Sequence, residues 1–234
     1  VVEANPRYFN GKPHLDRIIY RIIPEAALNE MEILTRGVDY SGVFPFEFQR
    51  MSQVPFLKTY SQPGLGYTYI GYNFKNDLFQ DKRVRLAFTH AINRKEIVQY
   101  VLYGLGEVAT GPFPNHLWYA NPHVKPIPYD PQKARRLLAE AGWKDTDGDG
   151  ILDREGKPFR FNLITNSGND TRRDVGVLVQ RQLHEIGIDV KFELYEWSVF
   201  LKNFINAKHF DACILGWGLS VDPDAYEIWH SSQI

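Results

Sequence analysis

Three features of the sequence predict an α/β fold. From residue 158 onward, runs with strand-like spacing alternate with runs of helical spacing. The helix between the first two strands stops at a glycine, and the resulting order is β-α-β-α-β. KPFRFNLIT reads as the first strand. Thr171 to Ile186 follows as a helix, with Val175, Leu178, Val179, Leu183 and Ile186 on one face and Gly187 as its stop. DVKFELYEW alternates with period two, Ser198 to Lys208 carries Phe200, Leu201 and Phe204 at helical spacing, and FDACILGW has the continuous apolar run of a buried strand.

The earlier part of the chain supplies further elements. LDRIIYRII, residues 15–23, is β-branched enough for a strand, and Pro24 opens a helix ending before Gly37. Residues 38–66 mix Pro, Gly and aromatics without a period and are expected to be connecting chain. YTYIGYN is a strand candidate, and Val84, Ala87, Phe88 and Ala91 mark a helix. Asn93 and Glu96 form a capping box for the next helix, expected to run to Gly104. A long ordered loop should occupy 105–130. Asp130-Pro131 then caps a helix with Ala134, Leu137, Leu138 and Ala141 on its apolar stripe, stopped at Gly142.

The chain has 234 residues and is 44% hydrophobic, enough to bury a sizeable core. Its formal charge of -1 gives no electrostatic case for nucleic acid or an anionic membrane. Cys213 is the single cysteine, which rules out an internal disulfide framework and a cysteine-based zinc site. No apolar run has the length of a membrane span, and no charged-then-apolar signal opens the chain. The start VVEANP, without methionine, suggests a processed protein or a piece of a longer one.

If the three C-terminal strands are parallel, their carboxyl ends share one edge, where open α/β sheets hold ligands. The residues just past those ends are Asn166-Ser167, Glu196-Trp197 and Trp217-Gly218-Leu219-Ser220. Two tryptophan faces with small polar groups between them suit a flexible, partly apolar small molecule. Nucleophile-elbow, zinc-protease, Walker and dinucleotide motifs are all missing from the sequence. Asp222, Asp224 and His230 in VDPDAYEIWH have the residue types of an acid/base site, but Asp-Pro-Asp is also turn chemistry, and Asp224 can cap a helix starting near Ala225.

DTDGDGILDREG, residues 145–156, begins like a calcium loop. Asp145, Asp147 and Asp149 take the alternate ligand positions, Gly150 the turn, Ile151 the carbonyl and Asp153 the ninth position. Gly156 stands where the bidentate glutamate belongs, and a strand follows instead of a helix. A sensor is therefore not expected. The alternatives are a single calcium-stiffened turn and a solvated Asp/Gly connector.

NPRYFNGKPHLDRIIYRIIPE, YIGYN with DKRVRLAFTHAINRKEIV, DPQKARRLLAEAGWKDTDGDGILDREGKPFRFNLIT and LGWGLSVDPDAYEIWHSSQ occur in that order over nearly the whole chain. Together they resemble the extracellular solute-binding proteins of the oligopeptide, dipeptide and nickel group of ABC importers. The resemblance implies a periplasmic-binding-protein-like lobe whose mixed, partly parallel sheet is flanked by helices. It implies that residues 1–38 end a first lobe, that a hinge lies near Asp39 to Phe46, and that 39–234 form a second lobe incomplete at its C-terminus.

The resemblance further implies a non-enzymatic, extracytoplasmic monomer, in the periplasm or on the cell surface as a lipoprotein. It would deliver an oligopeptide to an ABC permease and need no cofactor beyond the calcium ion considered for the Asp loop. Trp197 and Trp217 match the family's pocket tryptophans. The family carboxylate that holds a peptide ammonium falls on Ser220, with Asp222 two residues on. Because serine supplies no counter-charge, an oligosaccharide stacked on tryptophan is the alternative ligand.

Overall fold

The computed structural model describes every residue except Pro223, Ala225 and Ile234. The chain divides into two compact units, Val1–Thr59 and Tyr60–Ile234.

In the first unit, β1 (Val2–Glu3) pairs antiparallel with β2 (Arg17–Ile18), and α1 (Ala26–Leu34) and α2 (Pro45–Met51) follow. Two expectations need correction here. The strand expected over 15–23 reduces to the residues that find a partner, since a strand needs a ladder and not propensity alone. The connecting chain expected over 38–66 contains α2, where Pro45 presets the first-turn φ and Glu47 and Arg50 stand at the ends the helix dipole favours.

The second unit opens with β3 (Gly66–Tyr72), a short 3-10 turn at Asp77–Phe79, α3 (Lys82–Ala91) and α4 (Arg94–Tyr100). The Asn93 side chain accepts from the Glu96 N–H as expected, although α4 ends before Gly104. After a long stretch without regular structure, α5 (Pro131–Glu140) starts on Asp130, whose carboxylate accepts from the Lys133 N–H. The small hairpin of β4 (Asp153–Arg154) and β5 (Lys157–Pro158) leads to β6 (Arg160–Asn166).

Next come α6 (Asp170–His184), β7 (Asp189–Tyr195), α7 (Trp197–Val199), a π-helical turn at Phe200–Ile205, β8 (Ala212–Gly218) and α8 (Tyr226–Trp229). At the end of α6, Gly187 takes φ 84°, a left-handed turn that costs other residues steric strain.

The four-stranded sheet has the order β3-β8-β6-β7, with β6 parallel to both β7 and β8 and β3 antiparallel to β8. Alternation along β6 sends neighbouring residues into different cores. Leu163 joins Phe79, Phe88, Phe161, Val179 and Leu183, whereas Ile164 joins Phe200 and Cys213. Helices therefore cover both faces. Phe200, fully buried, anchors the π-helical turn, a burial worth on the order of 2–3 kcal/mol.

Candidate functional site

The carboxyl ends of β6, β7 and β8 share one edge of the sheet, as parallel pairing requires. The edge is not closed. β6 and β7 pair in register from Arg160↔Asp189 to Asn166↔Tyr195, but β6 and β8 pair only at Leu163↔Ala212 and Ile164↔Cys213. Beyond Cys213 no ladder pair joins the two strands, which leaves an unpaired gap, or crevice, between their carboxyl ends. α6 packs on one face of the sheet and the π-helical turn on the other, so the crevice lies where the connections diverge, the place open α/β sheets use for ligands.

The backbone that faces this crevice follows from the register. On the β3 side, Leu219 N–H donates to the Leu65 carbonyl at 2.8 Å and Asn73 N–H to the Asp211 carbonyl at 2.9 Å. Counting by twos along an antiparallel ladder turns the polar groups of Cys213, Leu215 and Trp217 toward β3. Those of Ile214, Gly216 and Gly218 then point toward β6. Thr165 Oγ1 satisfies the Ile214 carbonyl at 2.8 Å. Gly216 and Gly218 have no strand opposite them among the described residues.

The two tryptophans stand on either side of β6 and do not meet. Their strands are two places apart, about 10 Å. Trp217 is 41% exposed and lies parallel to Tyr69, with centroids 6.5 Å and planes 10° apart. Trp197 is 46% exposed and leans on Phe200 at 6.1 Å. The continuous buried run expected for FDACILGW thus ends at Ile214: Leu215 and Gly216 are half-buried, and Trp217 and Gly218 are exposed at the edge.

The remaining edge residues are held by local bonds. Ser167 N–H and Oγ both donate to the Tyr195 carbonyl, at 2.7 and 3.2 Å. Ser220 Oγ donates to the Asp222 carbonyl at 3.0 Å, and Tyr119 Oη reaches the Ser220 carbonyl at 3.5 Å. Glu196 caps α7, accepting from Ser198 N–H at 2.8 Å and Val199 N–H at 3.1 Å. The Ser198 hydroxyl and these backbone donors hold its carboxyl below the usual carboxylate range.

Three functional candidates were not singled out in the sequence. Tyr67 and Tyr69 share the Trp217 face of the sheet. Burial pushes Tyr69 up to about 12, with Cys213 and Tyr67 adding to the shift and Arg172 and Trp217 opposing it. Tyr67 Oη is buried with no hydrogen-bond partner among the described residues. Alternation in YTYIGY carried that signal. Arg172, in the first turn of α6, places Nη1 2.8 Å from Asn166 Oδ1. Its signal was a cation at the wrong end of a helix dipole.

The proposed acid/base set is not assembled. Asp222 Oδ1 accepts from Asp224 N–H at 3.1 Å, Asp224 Oδ1 accepts from Tyr226 N–H at 2.9 Å, and His230 Nδ1 pairs with Ser232 Oγ at 2.8 Å. No carboxylate bonds His230 among the described residues. Ala225, where a helix start was expected, lies outside them, and α8 begins at Tyr226.

In the Asp loop, carboxylate oxygens of Asp145, Asp147 and Asp149 lie within 4.8 Å of one another. Asp145 also accepts from the N–H groups of Gly148 and Gly150. Asp153 stands apart from this group, because Thr146 donates to its carboxylate through both N–H and Oγ1. Ile151 donates its N–H to Asp149 Oδ1 at 2.7 Å.

A cavity of about 500 Å³ opens on the sheet elsewhere, between Asn73, Asn162, Ile164, Tyr195, Phe204 and Lys208. It contains neither tryptophan, and its acidic groups are already paired. Asp211 takes Asn76 Nδ2 and the Asn162 N–H, and Glu193 takes Lys191 and Tyr195 Oη. No helix among the described residues is long and apolar enough to cross a membrane.

A family profile for bacterial extracellular solute-binding proteins, family 5 Middle, matches residues 1–233. The chain is 44% identical over its whole length to the oligopeptide-binding protein AppA of Bacillus subtilis, covering 44% of that protein. It is 29% identical to heme-binding protein A of Haemophilus influenzae, with 95% of the chain and 40% of the relative covered. The solved structure of Bacillus subtilis AppA in complex with a nonapeptide superposes with a TM-score of 0.85 at 45% identity, over 99% of this chain and 47% of that one. The chain thus spans less than half the length of these relatives.

Proposed function

The chain belongs to the bacterial extracellular solute-binding proteins of family 5, and from that membership we propose that it is the peptide-binding lobe of an ABC-importer receptor. The observation that carries the reading is the open crevice between β6 and β8. Gly216 and Gly218 turn main-chain donors and acceptors toward it with no strand opposite. An extended peptide main chain matches that array as an added strand would. Trp217 and Trp197 flank it as apolar surfaces for side chains, with Asn166, Ser167, Leu219, Ser220 and Asp222 around them. The nonapeptide in the AppA complex supports the same ligand class.

On this reading residues 1–38 end the first lobe and 39–234 belong to the second. The intact receptor is an extracytoplasmic monomer, held as a lipoprotein or free in the periplasm, that hands its ligand to the permease. Binding involves no bond-making step, in keeping with Asp222, Asp224 and His230 being spent on separate turns. The Asp loop serves as a brace for the helix-strand connection, with Asp145, Asp147 and Asp149 as the oxygen set for one calcium ion.

Calorimetric titration of the intact protein with a nonapeptide and with an oligosaccharide tests the ligand class. Saturable heat with the peptide alone is expected. Heat with the oligosaccharide alone transfers the tryptophan edge to sugar stacking, and silence to both ends the receptor reading.

A further inference from the structure

Arg172 reaches from α6 to both β6 and β8, and no carboxylate pairs with it among the described residues. Nη1 is 2.8 Å from Asn166 Oδ1 on β6, and no ion pair involves the residue among the described residues. Its neighbours are taken: Asp170 and Asp174 both pair with Arg173.

On the other side of the crevice, Nη2 lies against β8 at Gly216. A methyl group at position 216 would stand 3.2 Å from Nη2 and 3.7 Å from Thr68 Oγ1. A side chain there would press on the guanidinium, which would have to give by a few tenths of an ångström. Arg172 is half-buried and sits in the first turn of α6, where the helix dipole repels a cation.

The negative groups of the same edge are committed elsewhere. Glu196 Oε2 caps α7, Asp222 Oδ1 takes the Asp224 N–H, and Ser220 stands where the family resemblance puts a carboxylate. Glu196 and Asp222 keep their negative charge, since N–H groups do not neutralise a carboxylate, but neither pairs with Arg172 among the described residues, so the guanidinium keeps donors free for a ligand anion.

Resting on the receptor reading above, we propose that Arg172, with Asn166 beside it, anchors a carboxylate of the bound peptide. The guanidinium has five donors in a planar fork, of which Asn166 uses one, and that fork matches a carboxylate in two parallel bonds. The carboxylate comes either from the peptide's C-terminus or from an acidic side chain.

The test uses the intact protein and three peptides of equal length, measured by calorimetry. One has a free C-terminus and uncharged side chains, the second is its amide, and the third is the amide with a central glutamate. Wild type is expected to bind one carboxylate-bearing peptide about tenfold or more tightly than the neutral amide, and which one it prefers identifies the source. Arg172→Gln should bind all three as wild type binds the neutral amide. Arg172→Lys should keep part of the preference, retaining charge without the fork.

Equal wild-type affinities, or a preference that survives in Arg172→Gln, overturn the proposal. So does an Arg172→Gln protein that loses the neutral amide as well, which would give Arg172 a merely structural role. Silence of wild type to all three peptides removes the receptor reading and the anchor with it, an outcome distinct from binding without preference.

Discussion

The rings of Tyr69 and Trp217 stack across the β3–β8 ladder, their centroids 6.5 Å and their planes 10° apart. Tyr69 is held by the sheet, so it fixes the indole while leaving Trp217 41% exposed to a ligand. Trp217→Ala should weaken peptide binding by about 1–3 kcal/mol, and Tyr69→Ala should weaken it less, by loosening the indole. Calorimetry on folded variants checks both, and a Trp217→Ala protein with wild-type affinity would remove the aromatic edge from the site.

Glu196 makes the start of α7 sensitive to acid. Its carboxyl is held below its ordinary 4.5, chiefly by the Ser198 hydroxyl and then by the Ser198 and Val199 N–H groups. A depressed carboxylate stabilises the fold above the unfolded value and stops doing so as pH falls through the folded one. The Ser198 amide resonance should therefore titrate with a midpoint below 4.5. In Glu196→Gln that titration should vanish.

Gly176 marks a close helix-sheet contact. A Cβ there would stand 2.1 Å from Phe192 Cζ, on a ring that packs against the main core. Gly176→Ala gains helix propensity but must displace that ring, and overpacking of this kind costs about 1–3 kcal/mol. Chemical denaturation should show lower stability. An unchanged midpoint would mean the ring swings away freely.

Calcium should raise the melting temperature of the intact protein if Asp145, Asp147 and Asp149 hold it, and the increase should disappear in Asp147→Ala. Asp153→Ala should keep the calcium response, because Thr146 occupies that carboxylate. Equal melting curves with calcium and with a chelator would leave the loop a plain Asp/Gly turn.

Much of the fold was legible where local chemistry and burial agree. Asp130, Asn93, Val84 and Gly187 do in the structure what their spacing predicts. Residues 15–23 misled because β-branching states a preference and not a partner. The π-helical turn after Val199 was invisible because Phe200 and Phe204 satisfy either helical period well enough.

The site was legible only as an edge. Strand order, which no single strand encodes, separates Trp197 from Trp217 and opens the crevice that Gly216 and Gly218 face. Arg172 escaped notice because its meaning depends on Gly216, on a strand far from it in sequence.

The most direct test is the electron density of a peptide in a structure of the intact protein. The account predicts an extended main chain hydrogen-bonded to Gly216 and Gly218, with a side chain against Trp217. Density confined to the 500 Å³ cavity around Asn162 and Phe204, with the tryptophan edge bare, would contradict it.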